Sequence, residues 1–132
     1  MLRHIAATAL LCLTLTTFTG CIKTRPLVEP TFEVAAQDSR KIHDAIQQAL
    51  VRRKFAILAK TPNSFDAEYK RSADQGARIR VSHQGNKISI KYLSSTDLQY
   101  KVTEGGPLIH KRYNGWMTNL EKDIQIEVGK TL

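Results

Sequence analysis

The segment from Ala77 to Tyr92 restricts the fold more than any other part of the chain. Ala77, Ile79 and Val81 alternate with polar residues, Gly85-Asn86 follows, and Ile88, Ile90 and Tyr92 alternate again. A period of two marks a half-buried strand, and Gly-Asn between two such runs marks a two-residue hairpin. With Gly85-Asn86 as the loop, His83 faces Ile88, Val81 faces Ile90 and Ile79 faces Tyr92. Every apolar residue then meets another, whereas a slip of one residue would turn them all to solvent. The chain must build a one-sided antiparallel sheet and supply an apolar cover for it.

Two more alternating runs precede the hairpin. Phe55, Ile57 and Ala59 form one, ending at Thr61-Pro62-Asn63, and Phe65, Ala67 and Tyr69 form the other. The cover comes from helical periodicity on either side. Ile42, Ala45, Ile46, Ala49 and Leu50 make one stripe, with Asp38 or Ser39 as cap and Arg52-Arg53-Lys54 at the end that favours cations. Ile109, Tyr113, Trp116, Met117, Leu120, Ile124 and Val128 make another, after an irregular stretch from Ser94 to Pro107. The expectation is an α+β two-layer sandwich over residues 37–132: helix, four-stranded antiparallel meander, helix. Its first and fourth strands are expected to be the sheet edges. Trp116 and Tyr113 fall on the apolar stripe and are expected in the core.

The N-terminus has a different character. Ile5 to Phe18 is an apolar run behind Arg3 and His4, with the length of a signal-peptide hydrophobic region and too short to span a bilayer as a helix. It ends in Phe18-Thr19-Gly20-Cys21, which resembles the lipobox of bacterial lipoproteins, with Phe18 where Leu is usual. The resemblance implies cleavage between Gly20 and Cys21, and diacylglycerol and N-acyl lipid on Cys21. Residues 1–20 are then a removed signal peptide, and 21–36 the lipidated cysteine and a tether carrying Pro26 and Pro30. Ile22 in place of Asp resembles the outer-membrane pattern of a Gram-negative host. With Cys12 removed and Cys21 acylated, neither of the two cysteines is left for a disulfide. Two cysteines in 132 residues also exclude a disulfide-dense scaffold and a four-cysteine zinc site.

The closing segment carries a second resemblance. Ile109-His110, Tyr113-Asn114, Trp116, Asn119-Leu120 and Asp123-Ile124 are spaced as in the closing helix of a family of small uncharacterised bacterial lipoproteins. The similarity extends to the opening helix and to Phe55. It implies an envelope location and brings no catalytic residues with it.

Candidate chemistry is sparse. His43 lies four residues after Ser39 and next to Asp44, but nothing supplies the orienting group or oxyanion site that nucleophilic catalysis needs. It is expected on the solvent side of its helix. His83 is expected to end the buried sheet face, and His110 stands apart from both, so no metal-ligand spacing is present. Gly105-Gly106-Pro107 with Lys111 and Arg112 precedes a helix but fits no nucleotide-binding fingerprint.

The chain carries 20 Lys+Arg against 12 Asp+Glu, a net charge of +8. Alternation sends Arg78, Arg80, Lys87 and Lys91 to the face away from the core, with Arg80 opposite Lys91. Opposed like charges are unfavourable, and an anion would relieve them. Asp66 and Glu68 share that face, beside Lys70, and are placed to neutralise part of it. Asn114 and Asn119 lie off the apolar stripe and are candidate partner contacts. The sequence therefore points to a lipid-anchored, periplasm-facing envelope protein acting as a non-enzymatic interaction module with no cofactor beyond its lipid. Its partners would be the membrane and another envelope protein or an anionic envelope polymer, and not nucleic acid. One alternative is a binder of anionic lipopolysaccharide or cell-wall polymer through Arg78, Arg80 and Lys91. Another is a metal- or histidine-dependent enzyme using His43, His83 or His110.

Overall fold

A computed structural model describes residues 23–36 and 38–132. Over the described residues the protein is α+β, with two helices and two antiparallel sheets. Helix α1 spans Ser39–Arg52 and α2 Lys111–Gly129. Strands β1 (Thr24–Pro26) and β2 (Thr31–Glu33) precede α1. Between the helices run β3 (Ala56–Thr61), β4 (Ser64–Lys70), β5 (Gly76–Gln84), β6 (Lys87–Thr96), β7 (Lys101–Thr103) and β8 (Gly106–His110). The larger sheet has the order β2-β6-β5-β4-β3 and the smaller β1-β8-β7.

The β5–β6 hairpin has the register its pattern predicts: His83 opposite Ile88, Val81 opposite Ile90, Ile79 opposite Tyr92 and Arg80 opposite Lys91. Gly85 takes a φ of 57° at the turn, a conformation open to glycine at little cost. On the inner face Phe65, Ile79, Val81 and Ile88 are fully buried beneath Ile42, Ile46, Met117 and Leu120. Asp38 caps α1, its Oδ1 accepting from the amides of Arg40 at 2.9 Å and Lys41 at 3.2 Å. The far end closes with Lys54 at a φ of 63°. There the Lys54 amide donates to Val51 O and the Phe55 amide to Leu50 O, the paired bonds of a Schellman turn.

Four features differ from the sequence-based expectation. First, the meander is widened to five strands, because β2 pairs with β6 along Thr31–Ser89, Phe32–Ile88 and Glu33–Lys87. The fourth meander strand is therefore internal, and β2 and β3 are the edges.

Second, the segment expected as a tether is held to the body from Thr24 onward. β1 pairs with β8, and Val34 and Ala36 are buried in the core. Third, Ile109 belongs to β8 rather than to the closing helix, although it is buried as its apolar character requires. The irregular stretch accordingly contains the end of β6, all of β7 and the first two residues of β8.

The fourth difference is a bulge in β3. Ile57 pairs with Ala67 but Ala59 pairs with Asp66, so Leu58 is an extra residue. The inserted residue reverses the alternation beyond it. Ala59 moves to the outer face and Lys60 to the inner one, where its ammonium lies 5.7 Å from the Phe65 ring centroid and donates to Gln47 Oε1 at 2.9 Å.

Candidate functional site

The outer sheet face brings Arg78, Arg80 and Lys91 together and supplies each of these three with an acid. Register places Glu68 opposite Arg78 and Asp66 opposite Arg80. Arg78 Nε donates to Glu68 Oε2 at 2.6 Å, and Arg80 grips Asp66 through Nε at 2.7 Å and Nη2 at 2.9 Å. These bonds hold both carboxyls below their ordinary pKa. Lys91 has Glu29 Oε1 at 3.9 Å, and the other oxygen of Glu29 accepts from the Tyr92 amide. The opposition of Arg80 to Lys91 is thus relieved from within the chain, by β4 on one side and the N-terminal segment on the other.

Asn114 has an internal role. Its Nδ2 donates to Pro26 O at 2.8 Å, and its Oδ1 accepts from the Val28 amide at 3.1 Å, clasping the N-terminal segment. Asn119 is exposed and borders a small cleft with Arg53, Phe55, Tyr69 and Trp116. Tyr113 is fully buried as expected, whereas Trp116 is half-buried, its ring edge-on to Tyr69 at 4.7 Å. Arg53, which lines this cleft, holds the buried Asp123 through Nε and Nη2 at 2.5 and 3.1 Å. Hydrogen bonding from Arg53 keeps the Asp123 carboxyl below its ordinary pKa.

His43 is buried, contrary to expectation, because its position places it beside the stripe of Ile42 and Ile46 rather than outside it. Its ring stacks on Phe65 at 4.3 Å, and its Nδ1 lies 2.9 Å from Nε2 of the equally buried His83. Desolvation lowers both pKa values; Lys60 lowers that of His43 further while Asp44 opposes, and His43 lowers that of His83. His110 is elsewhere, capping α2, where its Nδ1 accepts from the Arg112 amide at 3.1 Å. Among the described residues no three His, Cys, Asp or Glu side chains are grouped for a metal ion. Ser39 makes no hydrogen bond to His43 among the described residues.

One cluster escaped the sequence reading. Arg71 and Arg112, far apart in the chain, both direct Nη1 at Gln75 Oε1, at 3.3 and 3.1 Å. Gln75 is itself anchored by donating to Asp97 O at 2.9 Å. Gly76 makes the turn possible, since a Cβ there would meet Tyr69 O at 2.6 Å. Lys111 and Lys23 adjoin the cluster through the bond from the Lys111 amide to Lys23 O. Only the pairing of Lys111 with Arg112 was visible beforehand; Arg71 and Lys23 arrive through tertiary structure.

Gly20 and Cys21, the expected cleavage and lipidation residues, lie outside the described residues. Among the described residues no helix is long and apolar enough to cross a membrane. Comparison with protein-family models and with curated proteins finds no match to this chain.

Proposed function

We propose that the chain is an envelope lipoprotein, acylated on Cys21 after cleavage at Gly20, anchored in the outer membrane and facing the periplasm. Its domain acts as a non-enzymatic interaction module. The observation that carries this reading is Gly20-Cys21 directly behind the apolar run Ile5 to Phe18. Two or more acyl chains give stable anchoring where a single chain is marginal. The hydrogen bond between His43 and His83 supports a structural role for these histidines over a catalytic one. The acids beside Arg78, Arg80 and Lys91 favour a solvated sheet face over a site for anionic polymer. The remaining open features suit protein contacts: the exposed Asn119 beside the Trp116 cleft, and the β3 edge with Leu58 half-exposed.

Comparing wild type with Cys21→Ala tests the anchor. The variant is expected to accumulate as a longer, unacylated precursor, and identical size and fractionation of the two proteins would contradict the reading. A photo-crosslinker replacing Asn119 or Leu58 tests the module. A discrete adduct with an envelope protein is expected, and its absence at both positions counts against an interaction role.

A further inference from the structure

We infer that the end of the domain carrying Lys23, Arg71, Lys111 and Arg112 docks on the phosphate headgroups of the anionic lipid surface to which Cys21 tethers it. This rests on the acylation of Cys21 proposed above.

Four cations from distant parts of the chain converge there. Thr24 pairs with His110, and the Lys111 amide donates to Lys23 O at 2.8 Å, so the start of β1 lies against the start of α2. Arg112 and Arg71 meet at Gln75 Oε1, a neutral oxygen shared by two guanidinium groups. Among the described residues none of the four has a carboxylate within ion-pair distance, unlike Arg53, Arg78 and Arg80. Asp74 is next to Gln75 in the turn, the charge of Asp97 reaches His110, and Glu68 lines the same cleft as Gln75 while pairing with Arg78 and Lys70. Among the described residues none of the three ion-pairs with a cation of the cluster. The excess of positive charge is felt locally, since Arg112, Lys23 and Lys111 add to desolvation in lowering the His110 pKa while Asp97 opposes them.

The identity of the occupant follows from chemistry and chain length. Planar guanidinium forks and ammonium groups are the usual recognition elements for phosphate. Ile22 and Lys23 alone stand between Cys21 and β1. At about 3.5 Å per residue, Thr24 lies no more than ~10 Å from the acylated residue. An anchor so short brings this end, rather than the far end of α2, to the bilayer. Clusters of Lys and Arg beside a lipid anchor are attracted to anionic headgroups within a Debye length.

The test uses the full acylated protein in vesicles of phosphatidylcholine, with or without phosphatidylglycerol, and an amine-reactive, membrane-impermeant label mapped by mass spectrometry. Phosphatidylglycerol is expected to slow labelling of Lys23 and Lys111 about threefold or more. Lys130, about 28 Å along α2 from Lys111, serves as the control and keeps its rate. The Arg71→Gln/Arg112→Gln double variant should lose most of the lipid dependence. With Cys21 acylated, equal labelling in both vesicles would overturn the docking surface alone, as would protection produced by inorganic phosphate with neutral vesicles. An unacylated Cys21, read from the intact mass, would overturn the docking surface together with the anchor.

Discussion

His43 on α1 and His83 on β5 are joined by a 2.9 Å contact between Nδ1 and Nε2, with both rings buried. One nitrogen must donate and the other accept, so the pair is compatible with neutral rings and opposed to double protonation. Both pKa values are lowered from 6.5, so between the folded and unfolded values the unfolded chain binds more protons. Stability is then full above about pH 6.5 and falls as the pH drops through the region below it. Thermal unfolding between pH 7 and pH 5 should show this decline. A His43→Leu/His83→Leu double variant should flatten it, and an unchanged slope in that variant would remove the pair as its source.

Arg53 and Asp123 tie the end of α1 to α2. Arg53→Ala leaves the Asp123 carboxylate buried without its guanidinium, at a cost of about 1–2 kcal/mol, moderated because Arg53 is itself partly exposed. Denaturant titration measures the loss. The lowered Asp123 pKa also means that the pair stabilises above the ordinary carboxyl range and weakens as acid protonates it. That window is well below the histidine window, so the two effects separate in one pH series.

Lys54 adopts a φ of 63° to close the Schellman turn. A side chain in this left-handed region costs about 1–2 kcal/mol, of which glycine recovers part after its larger unfolded-state entropy. Lys54→Gly should therefore stabilise the protein by roughly 0.5–1 kcal/mol. A lower midpoint in urea would show that the lysine makes a contribution outweighing its backbone strain.

Asn114→Ala removes the two bonds that clasp Pro26 and Val28. Hydrogen exchange of the Val28 amide should accelerate, with a stability loss of about 1–2 kcal/mol if β1 opens with it. An unaltered exchange rate would mean that β1–β8 pairing holds the segment unaided.

The hairpin, the Asp38 cap and the acid partners of Arg78 and Arg80 were legible because each follows from a local period or a cross-strand register. β1 and β2 were not: each is three residues long, too short to show alternation, and their partners β8 and β6 lie far along the chain. Ile109 fitted the helical stripe by spacing, yet its pairing with Arg25 of β1 keeps it extended. The bulge at Leu58 inverted Ala59 and Lys60, since a single inserted residue leaves no mark on composition. His43 was misplaced because a polar residue beside an apolar stripe reads as exposed until its partner, His83, is known. The cluster of Arg71 and Arg112 depends on a long-range meeting at Gln75, which no linear spacing encodes.

The most direct test of the account is the intact mass of the protein extracted from cell membranes. The predicted species starts at Cys21, lacks residues 1–20 and carries the added mass of a diacylglycerol and an N-acyl chain. A protein with a free Cys21 thiol, or with an N-terminus at any other residue, would contradict the lipoprotein reading.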